Sequence, residues 1–434
     1  MENRKLAYIN TWGCQMNAHD TEKMKGLLSL VGYDFTDKQE EADLILFNTC
    51  SIRQKAEQKF YSTLGMMKAL KQKKPHIKIG VTGCIAQQEG DNIHKAFPFV
   101  DFTVGPQNIS MLTDALEYDS YVSLITENKQ LHTNNLPAIR SDQRRAWVNI
   151  MYGCNNFCTY CVVPYVRGRE SSRPYGSILA EIGQLAEANY QEVTLLGQNV
   201  NSYNGGCPFH TLLEEIQKID RLKRIRFVTS HPKDLNDELI NTMATHNKIC
   251  KHIHLPLQSG SSRVLKLMNR KYTFAEYIDK VNRLRLKIPD MAITSDIIAG
   301  FPTETTADHK ETVRALTEIR FDGIFAFKYS NRPFTKASQM EGQVDELVKS
   351  ERLKEILELQ DNISEEINKR MEGGTYAVLI EECTDTTQNL YSGRTQTNKI
   401  INFNSPRQLA VGDIVDVKIL NGYRHSLDGC IVNT

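Results

Sequence analysis

Gly153-Cys154-Asn155-Asn156-Phe157-Cys158-Thr159-Tyr160-Cys161 places three cysteines within eight residues, spaced C-x3-C-x2-C. The stretch follows a predicted strand at 146–152, so the thiols lie at a strand's carboxyl end, where α/β folds carry their chemistry. Soft thiolates suit iron–sulfur clusters and zinc. Three on one loop can hold three irons of a four-iron cluster, which usually takes four cysteines. The missing fourth leaves one iron open to a further ligand. A zinc knuckle and three unrelated buried thiols are the alternatives, although structural zinc wants four protein ligands and no second pair follows at that spacing.

Strand and helix alternate outward from this loop. Strands are predicted at 146–152, 192–196, 224–229, 252–257, 292–298 and 323–329. Helices are predicted at 176–189, 211–219, 234–246, 262–268, 274–286 and 307–319. Six such units make a closed or partial parallel barrel, a partial (β/α)6 barrel, with an open doubly wound sheet as the alternative. Upstream, strands at 6–10, 42–49, 77–82 and 99–104 alternate with helices at 19–31 and 52–72. The apolar run Leu44-Ile45-Leu46-Phe47 suits a strand covered on both faces. Residues 128–143 are polar, contain Pro137 and read as a linker. A charged helix spans 341–371. Beyond it, short strands at 376–381, 398–403, 413–420 and 429–432, with a turn signal at Asn421-Gly422, read as a small antiparallel β-barrel. The expected class is α/β: an open parallel sheet in 1–140, the barrel and its connecting helix in 141–371, and the small β-barrel in 372–434.

The chain has 434 residues, enough for about three domains. Hydrophobic residues make 40% and charged residues 24%, which excludes disordered and fibrous classes. Ten cysteines are too few for a secreted disulfide scaffold. The opening MENRKLAYIN lacks the apolar core of a signal peptide, and no apolar run approaches the roughly 18 residues of a membrane span. A reduced, cytoplasmic setting without a membrane partner is expected.

Three more cysteines become a group once placed on the strands. Cys14 follows the first strand, Cys50 ends the second and Cys84 ends the third. Ligands of open parallel sheets sit beyond the strands' carboxyl ends, so the three thiols should meet on one edge. Gly13 and Gly83 allow close backbone approach there. Three buried thiols that happen to end strands are the alternative. Cys207, Cys250, Cys383 and Cys430 receive no role. In the barrel, Gly197, Gln198 and Asn199 follow the second strand, Ser230 and His231 the third, Gln258 and Ser259 the fourth. Asp296 belongs to the fifth. Asn199, Ser230, Gln258 and Asp296 suit hydrogen bonds to a polar cofactor, whereas His231 is expected to cap or pack.

Together these residues resemble the radical S-adenosylmethionine methylthiotransferase family across nearly the whole chain. Cys154, Cys158 and Cys161, with Tyr160 before the last, match its most specific motif. Cys14, Cys50 and Cys84 match its second cluster site, and residues 372–434 resemble a TRAM domain. Gly13-Cys14-Gln15-Met16-Asn17 resembles the tRNA-acting branch. The resemblance implies two [4Fe-4S] clusters and S-adenosyl-L-methionine. The cluster on Cys154, Cys158 and Cys161 would cleave S-adenosylmethionine to a 5′-deoxyadenosyl radical. The one on Cys14, Cys50 and Cys84 would present the sulfur that is methylated and inserted. Tyr160, Gly197, Gln198, Asn199, Ser230, Gln258, Ser259 and Asp296 would line the cofactor pocket.

The implied product is the 2-methylthio derivative of N6-isopentenyladenosine at tRNA position 37. Methylthiolation of threonylcarbamoyl-adenosine or a ribosomal protein side chain, and a non-catalytic iron–sulfur or RNA-binding protein, remain alternatives. Implied partners are the prenylated tRNA, an electron donor such as flavodoxin or ferredoxin, and a sulfur source. A monomer is expected.

Net charge is +1, neutral as a clue to RNA. Local clusters are basic, however: Arg140, Arg144, Arg145, Arg167, Arg169 and Arg173 in one, and five Lys/Arg within 221–233 in another. Both are expected to meet phosphates. Arg394 and Tyr391 are expected to stack on bases in the last domain.

Overall fold

The structure is a computed structural model that describes residues 4–51, 54–126 and 136–432. The first strands are β1 (Lys5–Trp12), β2 (Tyr33–Phe35), β3 (Leu44–Thr49), β4 (Lys78–Gly83), β5 (Phe102–Val104) and β6 (Val122–Leu124). They form one parallel sheet in the order β2-β1-β3-β4-β5-β6. Every residue of β3 is buried, as its apolar run requires. The sheet is packed by α1 (Gln15–Leu30), α2 (Gln54–Lys73), α3 (Cys84–Glu89), α4 (Asp91–Ala96) and α5 (Leu112–Ala115). The strand order turns back between β1 and β3, the point at which such sheets open a ligand crevice. The short strands β2 and β6 carry too little pattern to be anticipated.

The barrel strands are β7 (Arg145–Asn149), β8 (Met151–Tyr152), β9 (Ser171–Ser172), β10 (Glu192–Leu196), β11 (Arg224–Phe227), β12 (His252–His254), β13 (Ala292–Ala299) and β14 (Gly323–Lys328). β8 and β9 form a side ribbon. The other six make two parallel triplets, β7-β10-β11 and β12-β13-β14. A parallel bridge from Ile225 to Ile249 joins the triplets into the expected partial barrel. Its helices are α6 (Val163–Val166), α7 (Tyr175–Glu187), α8 (Phe209–Ile216), α9 (Asp237–Thr245), α10 (Ser262–Leu267), α11 (Phe274–Lys287) and α12 (Thr306–Ile319). They close over the largest apolar core, which includes Val148, Leu195, Phe227, Ile253 and Ile297.

A connecting helix, α13 (Glu346–Lys369), leads to β15 (Thr375–Asp385), β16 (Leu390–Arg394), β17 (Ile400–Asn404), β18 (Ile414–Gly422) and β19 (Leu427–Ile431). These close as β15-β16-β17-β19-β18. The sequence pattern misses β16, and the β17–β19 pair is parallel where an all-antiparallel barrel is expected. Asn421-Gly422 ends β18 after a register shift instead of forming the expected turn. Among the described residues, no helix is long and apolar enough to cross a membrane.

Residues 128–135 of the expected linker lie outside the described residues. Its remainder is pinned to the first unit. The Ile139 amide donates to the Glu22 carbonyl, and Gly26 leaves only enough room for the Pro137 backbone. This seam explains an odd feature of α1: Asn17, His19, Asp20, Glu22 and Lys23 are all buried. A helix face with that many polar residues normally meets water. Here the barrel unit covers it.

Candidate active site

The first thiol set owes its convergence to strand register. Trp12 pairs with Thr49, and Thr49 with Gly83, so β1, β3 and β4 end level. Cys14 and Cys50 follow just past those ends, and Cys84 opens α3 rather than ending β4. Gly83 holds φ +85°, and a Cβ there would meet Asn48 Oδ1 at 2.4 Å. A Cβ on Gly13 would lie 2.8 Å from that of Cys50. Both positions therefore require glycine. Asn17 braces the rim: its Oδ1 accepts from the Cys14 thiol at 3.3 Å, and its Nδ2 donates to Asn48 Oδ1 at 3.1 Å.

The thiols interact electrostatically. A hydrogen bond with Cys50, aided by the Arg167 charge, outweighs burial and brings Cys14 down to about 5. Burial pushes Cys84 up against the pull of Arg167. Arg167 and its partner Asp20 are both buried, with Nη2 donating to Oδ2 at 2.9 Å. The sequence reading missed this pair.

The second set sits on a loop held from several sides. Cys154 N donates to the Gly168 carbonyl, and Thr159 N to the Met268 carbonyl. Asn269 Nδ2 bonds the carbonyls of Asn156 and Phe157. Buried Arg270 approaches Cys158 Sγ and Tyr160 Oη at 3.4 Å each, and anchors itself on the Pro256 carbonyl and Tyr272 Oη. Arg270 is a second residue that spacing alone does not reveal. Burial raises Cys154, and burial together with the Cys158 charge pushes Cys161 up to about 12. Among the described residues, no three His, Cys, Asp or Glu side chains converge on a single metal ion.

One short segment links the two sets. Val162 directly follows Cys161 and, with Val166 of α6, packs against Cys84. Arg167 comes next and reaches Cys14 and Cys84. A single seven-residue stretch, 161–167, therefore runs from one thiol set to the other.

Beside the second set, the barrel's strand ends carry polar atoms that lack partners. Gln198 Oε1, Asn199 Oδ1, Ser230 Oγ, His231 Nε2 and Gln258 Oε1 are buried and unbonded among the described residues. Buried polar atoms are normally paired, so this clustering fits a polar ligand at the strand ends. Gly197 keeps the approach narrow, since a Cβ there would meet Met151 Cγ at 2.5 Å. His231 Nδ1 caps Lys233 N, its ring packs on Tyr272, and burial holds it down at about 2.

One expected contact differs. Ser259 Oγ turns inward to Thr312 Oγ1 and the Ser261 amide, so it serves the loop. Asp296 is half-buried, with Oδ2 3.4 Å from His254 Nε2. The four remaining cysteines stand elsewhere in the fold: Cys250 beside Arg226, Cys207 on the helical layer, and Cys383 and Cys430 in the small barrel.

Most arginines of the basic clusters are spent internally. Arg140 pairs with Glu22 and Glu181, Arg173 with Glu181, and Arg145 with Asp142 and Glu381. Arg144 reaches the Asn189 carbonyl. Arg224 donates to the carbonyls of Arg394 and Ala377, and Arg226 to Thr395 and Glu192. Lys233 pairs with Asp234. Tyr391 is core and offers no stacking face, and Arg394 is half-buried and pairs with Glu381. Arg169 of the first cluster lies over an aromatic ring, that of Phe157.

The Radical SAM superfamily model matches residues 148–316. That of the TRAM domain matches 369–432, and that of Uncharacterized protein family UPF0004 matches 6–105. The chain is 52% identical over 432 residues to the tRNA-2-methylthio-N(6)-dimethylallyladenosine synthase of Thermodesulfovibrio yellowstonii, covering 99% of each. It is 46% identical over 439 residues to the protein of that name from Acetivibrio thermocellus, covering 99% of this chain and 91% of that one. The radical S-adenosylmethionine methyltransferase TsrM from Kitasatospora setae, solved with cobalamin and a [4Fe-4S] cluster, shares the fold. Its TM-score is 0.59 over 77% of both chains, at 13% identity.

Proposed function

The chain belongs to the family of tRNA-2-methylthio-N(6)-dimethylallyladenosine synthases, and on that premise we propose that its two thiol sets each hold a four-iron cluster. It is a radical S-adenosylmethionine tRNA methylthiotransferase. Its substrate is N6-dimethylallyladenosine in tRNA and its product the 2-methylthio derivative, carrying added sulfur and methyl. The observation that carries the two-site reading is the level ending of β1, β3 and β4, which gathers Cys14, Cys50 and Cys84 opposite the segment leaving Cys161.

When bound, the clusters and S-adenosylmethionine supply the radical and sulfur chemistry. The chain's own residues do the rest. Cys154, Cys158 and Cys161 hold one cluster and leave a site for the cofactor's amino and carboxylate groups. Arg270 fixes Cys158 and Tyr160. The free oxygens of Gln198, Asn199, Ser230 and Gln258 orient the cofactor, and Gly197 keeps the wall thin. Cys14, Cys50 and Cys84 hold the sulfur-donor cluster, with Arg167 offsetting thiolate charge. Residues 1–140 act as the sulfur-donor unit, 141–371 as the radical unit and 372–434 as an RNA-contact unit. The enzyme works as a cytoplasmic monomer with a flavodoxin- or ferredoxin-type donor and a sulfur source.

Anaerobically reconstituted protein is incubated with prenylated tRNA, S-adenosylmethionine and reductant, and the digested RNA is analysed by mass spectrometry. A 2-methylthio nucleoside is expected. Its absence with both clusters intact rejects the reading. Threonylcarbamoyl-adenosine tRNA and ribosomal protein serve as parallel arms.

A further inference from the structure

Two exposed aromatic side chains and a half-buried third cluster beside the thiol sites. Tyr165 of α6 is 44% exposed, and Phe334, on the loop after β14, is 59% exposed. Their ring centroids lie 6.1 Å apart, and Tyr165 meets Phe157 edge-on, also at 6.1 Å. The Arg169 guanidinium sits 4.3 Å above the Phe157 ring, with no carboxylate partner among the described residues. A cavity of about 230 Å³ opens between Tyr165, Arg169 and Gln87 of α3, so residues of both units line it.

Phe157 and Phe334 hold φ of +47° and +66°. Bulky residues rarely adopt that backbone, and strain of this kind concentrates at functional sites. Position adds to the case. Phe157 lies between Cys154 and Cys158, and Tyr165 stands four residues past Cys161. The cluster therefore borders the segment that links the two thiol sets. Nucleotides next to one that reacts at those sets would lie within reach of it.

From these observations we infer that Tyr165, Phe334, Phe157 and Arg169 form a stacking platform for unpaired nucleotides flanking the target adenosine. The inference rests on the functional reading above. Single-stranded RNA is recognised by bases laid on aromatic rings and guanidinium planes, and exposed aromatics beside an unpaired arginine supply both. The rest of the basic cluster is committed to internal partners, which leaves this as the RNA-competent part of the loop.

The test measures fluorescence anisotropy of a stem-loop RNA, with N6-dimethylallyladenosine in its loop, binding to anaerobically reconstituted enzyme. Tyr165→Ala and Phe334→Ala should each weaken binding by about five- to a hundred-fold, the range for losing one stacked base. Arg169→Gln should weaken it by less. Tyr165→Phe and Phe334→Tyr should bind as the wild type does. Cleavage of S-adenosylmethionine without RNA should be unchanged in all five.

Wild-type enzyme that methylthiolates the RNA while the alanine variants bind it equally tightly overturns the platform alone. Wild-type enzyme that neither binds nor modifies it overturns the functional reading and the platform with it. Alanine variants that keep RNA affinity, but accept electrons slowly from a protein donor and normally from dithionite, assign the surface to the donor and overturn the RNA role.

Discussion

Arg167 and Asp20 join the elements that carry the two thiol sets, with Nη2 donating to Oδ2 at 2.9 Å and both side chains at most 5% exposed. One comes from the segment after Cys161 and the other from the helix after Cys14. The Arg167 carbonyl also accepts from Gln107 Nε2 at 3.0 Å. Removing one member of a buried pair strands the other charge, at a cost of about 3–5 kcal/mol. Arg167→Met should therefore destabilise the protein by roughly that amount, while Asp20→Asn, which keeps an acceptor oxygen, should cost less. Denaturant unfolding of both variants checks the order. Equal stability of Arg167→Met and wild type would show that the pair does not hold the units together.

The same seam predicts acid sensitivity. Burial, helped by the Lys23 and Arg140 charges, lowers His19 from 6.5 to about 4. Burial alone would raise Glu22, but hydrogen bonds from His19 and Ser141 outweigh it and bring it from 4.5 to about 2. The unfolded chain protonates His19 first, so it binds more protons than the folded chain below pH 6.5. Stability then falls as pH drops from 6.5 towards 4, and the Glu22 contribution is lost as pH falls below 4.5. Melting temperature followed from pH 7 to 4 should decline, and His19→Gln should flatten the part above pH 4.5. A slope unchanged in that variant would assign the effect to other groups.

The contiguous C-x3-C-x2-C loop was legible because all three cysteines share one stretch. Cys14, Cys50 and Cys84 were legible because a parallel sheet brings strand ends together wherever they fall in the chain. Arg167 and Asp20 were not: 147 positions separate them, and their contact depends on how two units dock. Charge misled for the same reason. Arg224 and Arg226 look like an RNA patch until the small barrel is seen covering them. The strand β16, Leu390-Tyr391-Ser392-Gly393-Arg394, was hidden because a short run with glycine lacks the alternation that marks a strand.

Arg226 should be essential for seating the small barrel. It bonds the carbonyls of Thr395 and Gln396 and pairs with Glu192, which is also buried. Arg226→Ala breaks three contacts and leaves Glu192 without its cation. A loss of about 3 kcal/mol or more is expected, concentrated at this interface. Limited proteolysis should cut faster between α13 and β15 in the variant. An unchanged digestion pattern would mean that Lys399–Asp322 and Arg145–Glu381 hold the barrel without it.

Cysteine variants separate the two thiol sets. Cys154→Ala removes one of three ligands from the loop and should abolish 5′-deoxyadenosine formation while the other cluster stays bound. Cys50→Ala acts on the opposite set, where the thiols are held by strand ends and the Asn17–Asn48 brace. It should spare cofactor cleavage and stop sulfur insertion. Iron and sulfide content should fall by about half in each variant, because each cluster brings four irons. The segment from Val162 to Arg167 touches both sets, which makes independence a real question rather than an assumption. If both variants lose all their iron, that segment couples the sites so tightly that neither forms alone, and the assignment of two independent sites fails.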